Sequence, residues 1–126
     1  MTALALPKID GATVAMMVLE EQEPWPPERT REGRAIGKRS RAIWRNADGS
    51  LGAGIWEVDE GTFWADFRAY GEIIFVVAGE MEYTADADGS VVTLRAGDAM
   101  VFPRGWTGWW AIKVRLRKIY SAWEYD

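Results

Sequence analysis

Histidine and cysteine are both missing from the 126 residues of this chain. The absence of cysteine excludes disulfides, a thiolate nucleophile and any Cys-based metal site. The absence of histidine removes the usual ligand sets for zinc, copper and non-haem iron. A surplus of positive charge is lacking too: the formal net charge is −4, whereas a nucleic-acid footprint is basic. No apolar run reaches the length of a membrane span, and Met1 to Lys8 lacks a charged segment followed by a long apolar one. These absences predict a cytoplasmic protein with no nucleic-acid or membrane partner.

What is present points to one domain with a real core. Hydrophobic residues make up 48% and charged residues 27%, a balance that excludes disorder across the whole chain. Eight tryptophans are many for this length, and side chains of that size need either a deep core or a site to line.

Residues 1–40 read as an N-terminal arm with first strands packing on a barrel, and residues 41–126 as the barrel. Ala12 to Leu19 is apolar and strand-like. The segment that follows holds Pro24, Pro26 and Pro27, and prolines cannot join a sheet interior because each lacks a ladder donor. Arg29, Arg31, Arg34, Lys38, Arg39 and Arg41 then form a basic cluster. It reads as a solvated face, with anion binding or a subunit contact as the alternatives. From Arg41 onward, short β-rich runs alternate with turn signals. Asp48-Gly49 and Asp88-Gly89 are hairpin turns, since both residue types tolerate positive φ. Asp86-Ala87-Asp88-Gly89 lacks the remaining ligands of a calcium loop and reads as a plain turn. Strands at this spacing without long helices predict an all-β sandwich or barrel.

Two segments sharpen that expectation. One is Glu72-Ile73-Ile74-Phe75-Val76-Val77-Ala78-Gly79, with Gly61 upstream; the other is Gly97-Asp98-Ala99-Met100-Val101-Phe102-Pro103-Arg104-Gly105-Trp106-Thr107-Gly108. Together they resemble the two motifs of the cupin superfamily, a glycine followed by His-x-His, Glu and Gly, then Gly, Pro-x-Gly and His. The details around Gly105-Trp106 and Arg117-Lys118-Ile119-Tyr120 are most similar to the small ethanolamine-utilisation and ureidoglycine aminohydrolase-like cupins. The resemblance implies a double-stranded β-helix, the jelly-roll barrel, and a homodimer in which the N-terminal arm crosses to the partner. Glu72 stands at the family's acidic ligand position. A three-residue gap puts Asp66 and Arg68 at its two histidines, a four-residue gap puts Ala65 and Phe67 there, and Gly108 replaces the third. No transition metal and no other cofactor is therefore expected; a hard cation such as magnesium or manganese held by Asp66 and Glu72, with Arg68 opposing it between them, is the alternative.

With the three-residue gap, alternation along the strand turns Trp64, Asp66 and Arg68 inward and Phe63, Ala65 and Phe67 outward. The next strand turns Glu72, Ile74 and Val76 inward. Trp106, Gly108 and Trp110 share the inner face, Gly108 leaving an opening between two indoles. On the last strand the inward set is Val114, Leu116, Lys118 and Tyr120, where a buried Lys118 needs Glu72 or Asp66 as its carboxylate partner. The directions of Trp44 and Trp56 are left open by the pattern. Glu72, Asp66 and Lys118 are thus candidate catalytic groups; Arg68, Trp64, Trp106, Trp110 and Tyr120 are candidate ligand contacts. They suit a metal-independent cupin that binds a small polar or anionic metabolite and isomerises, eliminates or hydrolyses it by acid/base chemistry. A non-catalytic binding module and a structural module in which these side chains only fill the barrel are the competing readings.

Overall fold

The computed structural model describes residues 7–124; Met1 to Leu6, on which most of the leader-pattern expectation falls, lie outside the described residues. Its plan follows from two long antiparallel strands, β5 (Tyr70–Ala85) and β8 (Thr107–Glu124), which pair along nearly their whole length. One edge of β8 carries β4 (Gly61–Asp66) beside its first half and β3 (Leu51–Val58) beside its second. The free edge of β5 carries β7 (Ala99–Phe102) and then β6 (Val91–Arg95). The β5–β8 ribbon therefore belongs to two sheets. The larger is extended by β2 (Lys38–Arg45) and the short β1 (Glu20–Glu21). This is the jelly-roll barrel that the cupin resemblance implies.

The ribbon can serve two sheets because it bends. Register breaks between Val76 and Met81 mark β-bulges, which add local twist and turn a strand through a corner. Gly79 sits at that corner with φ +93°, and a Cβ there would lie 2.0 Å from the carbonyl oxygen of Arg115. Only glycine fits both the left-handed backbone and the close approach. The two sheets then close over Phe63, Phe67, Ile74, Met81, Phe102, Trp110 and Leu116, each at most 3% exposed.

Both hairpin turns form as expected, with Gly49 and Gly89 at positive φ. In the Asp86–Gly89 turn, Asp88 accepts from the Ser90 amide and Asp86 from the Trp64 indole, so its carboxylates serve the fold. Ala12 to Leu19 departs from its strand-like reading: Gly11–Met16 is a helix, α1. Asp10 caps it by accepting from the Ala12 amide, and Arg117 donates to the carbonyls of Val14 and Met17 at its far end. Those caps, with Val14 and Leu19 buried on the barrel's outer wall, outweigh a sequence too short to hold a helix alone.

Arg117 also donates to Glu57, which accepts from Arg39, which in turn pairs with Glu21 and Asp59. This chain of ion pairs runs under α1 across β2, β3 and β8 and fixes the outer face of the larger sheet. The corner glycine gives the first prediction. Gly79→Ala should lower unfolding free energy by about 2–4 kcal/mol. Gly97→Ala, also at positive φ but with open space around it, should cost only about 1–2 kcal/mol. Urea denaturation of the two variants measures the difference.

Candidate active site

Between the sheets lies a hollow of about 870 Å³, within the usual size of a small-ligand site. On its wall, Lys118 of β8 and Glu72 of β5 form an ion pair with side chains only 5% and 7% exposed. The strand register explains the meeting: Lys118 lies opposite Val76 and Tyr120 opposite Ile74, so Glu72 is on the same inward face a short step along the ribbon. The Lys118 ammonium also lies 4.5 Å from the ring centre of Trp56, 5.0 Å from that of Trp110 and 5.9 Å from that of Tyr120. Aromatic faces attract a cation and keep water from it. Burial pushes the Lys118 pKa down while Glu72 opposes the shift. Tyr70, beside Glu72, is pushed up to about 12, first by burial and then by that carboxylate, so it remains a neutral hydroxyl.

The structure turns β4 over relative to the expected faces. Phe63, Ala65 and Phe67 are buried and border the hollow, whereas Trp64 and Asp66 are only half-buried and Arg68 is exposed. The four-residue gap is therefore the one the fold uses. Asp66 and Arg68 still meet the hollow, at its rim, where Arg68 donates to both carboxylate oxygens of Asp66 at 2.9 Å. That contact holds the Asp66 pKa down at about 2. Trp64 is spent on Asp86 and lies outside the hollow.

Gly108 leaves no opening. Its missing Cβ is replaced by the Trp106 ring, which would stand 2.5 Å from such an atom. Trp106 packs in turn on Phe67, Tyr83 and Phe102, so this indole fills core and does not reach the hollow. Trp110 does border it, as do Tyr120 and Trp56, while Trp44 is exposed and does not line it. On β8, Leu116 and Lys118 turn inward and Tyr120 meets the hollow, but Val114 lies within the bulged stretch and is exposed.

The arm contributes what the sequence pattern missed. Trp25 stacks on Phe63 at 4.9 Å and borders the hollow together with Arg29 and Lys38. Arg29 and Lys38 both lie over the Trp25 ring, at 4.3 and 4.5 Å. Arg29 also donates to the Trp64 carbonyl, tying the arm to β4. The basic cluster splits by alternation: Lys38 faces the hollow, while Arg39 joins the outer ion-pair chain. A tryptophan among prolines, in a segment unable to pair as a strand, was the available signal. The hollow then has five cationic side chains on its lining, Arg29, Lys38, Arg68, Arg104 and Lys118, against the two carboxylates of Asp66 and Glu72.

The cupin frame implies a metal, and these residues do not fit one. Ala65, Phe67 and Gly108 offer no donor at the ligand positions, and the remaining carboxylate, Glu72, is turned onto the Lys118 ammonium. Among the described residues no group of three or more Asp, Glu, His or Cys side chains is placed to hold an ion.

A jelly-roll hollow with its acidic residue on this strand defines a small cupin. The model of the EutQ-like cupin domain matches residues 45–120, and the chain belongs to that family. Among solved structures it is similar to the EutQ protein of Clostridium difficile, with 25% identity over 72% of this chain and 71% of that one and a TM-score of 0.60. It is also similar to a putative ethanolamine utilization protein Q from Salmonella typhimurium LT2, with 24% identity over 82% of this chain and 80% of that one and a TM-score of 0.60. A Pseudomonas syringae protein of the DUF861 family superposes with a TM-score of 0.74 at 18% identity, over 85% of this chain and 45% of that one. No curated protein matches the chain. No helix among the described residues is long and apolar enough to cross a membrane.

The buried pair yields a stability prediction. Glu72→Gln and Lys118→Met should each destabilise by about 3–5 kcal/mol, because either leaves an uncompensated buried charge, while the double substitution should recover much of the loss. A double-mutant cycle by chemical denaturation measures the coupling, and additive losses would contradict it.

Proposed function

We propose that this cupin binds a small anionic metabolite in its Trp-lined hollow without a transition metal and acts on it by proton transfer through Glu72 and Lys118. The observation that carries this reading is the excess of cations on the wall of a cavity in a chain of formal net charge −4. Lys38 supports it further: partly desolvated, it has ring contact with Trp25 and no ion pair among the described residues. The indole N–H groups of Trp25 and Trp110, both on rings that border the hollow, are buried without an acceptor among the described residues. Donors left over in this way favour an acceptor-rich guest.

Glu72 is the base and Lys118 the group that stabilises developing negative charge or returns the proton. Isomerisation, elimination or hydrolysis of a small acid needs no more than this. Arg29 and Lys38 hold the acid's charge at the mouth, with Asp66–Arg68 at the rim and Trp110, Trp56 and Tyr120 excluding water. The same reading takes the protein as a cytoplasmic homodimer. A cavity of this size counts against a purely structural module, whose interior would be filled by its own side chains.

A thermal-shift screen of small carboxylic and phosphorylated acids against their neutral analogues tests the reading, because a ligand that binds only the native state raises its melting temperature. The acids should stabilise and the neutral analogues should not. Lys38→Met should weaken binding about tenfold, the equivalent of one lost charge-assisted contact. Glu72→Gln should retain binding and lose turnover; binding with no turnover in either protein would make the hollow a non-catalytic receptor. Elemental analysis of protein purified without chelator should find no stoichiometric transition metal.

A further inference from the structure

Lys118 is placed for more than charge stabilisation. Lys118 lines the hollow, and its side chain is only 5% exposed, so the amine is largely stripped of bulk solvent beside a cavity that can hold a small guest. Its hydrogen-bond partner among the described residues is Glu72, a group able to take and return a proton. The rings of Trp56, Trp110 and Tyr120 enclose the other sides. A lysine desolvated in an apolar pocket, next to a proton acceptor and facing a space that gathers anions, is the arrangement in which an amine becomes a nucleophile.

We propose that Lys118 forms an imine with the carbonyl carbon of a small oxo acid bound in the hollow. The proposal rests on the anion-pocket reading above, since Arg29 and Lys38 are the groups that hold the acid's carboxylate.

The step balances with the groups present. Glu72 takes one proton from the Lys118 ammonium, and the nitrogen lone pair attacks the carbonyl carbon as the C=O π pair moves to oxygen. A proton passes from nitrogen to that oxygen, giving a neutral carbinolamine. Glu72 returns its proton to the hydroxyl, the C–O bond breaks, and water leaves as nitrogen forms the C=N bond. An ammonium and a carbonyl become an iminium and one water, with no oxidant or reductant. Glu72 is ionised only when the nitrogen is cationic, as ammonium or iminium, and both groups are neutral in between, so neither is left as an unpaired buried charge. Burial lowers the Lys118 pKa and so assists the first proton transfer.

The full chain has four lysines, Lys8, Lys38, Lys113 and Lys118, which makes the test clean. The protein is incubated with glyoxylate or pyruvate and cyanoborohydride, which reduces an imine to a stable secondary amine, and the adduct is mapped by peptide mass spectrometry. The expected result is one reduced adduct on Lys118, formed about 100-fold more slowly in Glu72→Gln and absent from Lys118→Arg. Both variants are checked for folding by circular dichroism, and the wild-type mapping decides the matter if either fails to fold. Labelling confined to Lys8, Lys38 or Lys113, or an unchanged rate in folded Glu72→Gln, overturns the proposal. Thermal stabilisation by the oxo acid with no Lys118 adduct sinks the imine and leaves the anion pocket standing. Neither stabilisation nor adduct with either oxo acid overturns both.

Discussion

The Lys118–Glu72 ion pair is the constraint around which the barrel interior is organised. Each charge taken from water alone costs several kcal/mol, so the pair is tolerable only when both partners arrive on one face at one height. The β5–β8 register provides that, with Ile74 opposite Tyr120 and Val76 opposite Lys118. A one-residue slip would turn the whole inward set of either strand to the other face and leave both charges unmatched. The pair therefore selects register as well as occupying the hollow, and aromatic rings, which tolerate a cation at their faces, surround it.

A second requirement is that one ribbon serve two sheets. The bulges near Gly79 bend β5 and β8 together, and the two halves then face each other across the core. On the outside, the Arg39–Glu57–Arg117 chain performs the opposite service to the inner pair. It is shared among three strands and α1, and binds the helix to the larger sheet through two carbonyls. The arm completes the enclosure from the remaining side: Ile36 is fully buried in the core and Trp25 stacks on Phe63.

The barrel was legible in the sequence because its signals are local: turn glycines, alternating strands and a proline-glycine corner each answer a geometric demand within a few residues. The same holds for Glu72 and Lys118, where motif position and alternation point to one face. The three-residue gap to the family's metal positions gives β4 the wrong parity. Its own pattern, Phe63, Ala65 and Phe67 against Trp64, Asp66 and Arg68, already says which face is apolar, and burial follows that pattern. Gly108 was read as a vacancy because sequence cannot show that a neighbouring indole folds back over a missing side chain. Trp25, Arg29 and Lys38 were out of reach for a related reason: their role depends on where a proline-rich arm docks, a long-range contact that no periodicity encodes. α1 formed through its capping partners, Asp10 nearby and Arg117 a hundred residues away.

The concentration of cations on the lining has a consequence at a distance. The chain as a whole carries a formal net charge of −4, while Arg29 and Lys38 stand on the lining of a concave hollow, and a concave wall that carries one sign of charge focuses the field there. Anions of like chemistry would thus be guided to the mouth and away from the rest of the molecule, and the arrival rate would fall as added salt shortens the Debye length.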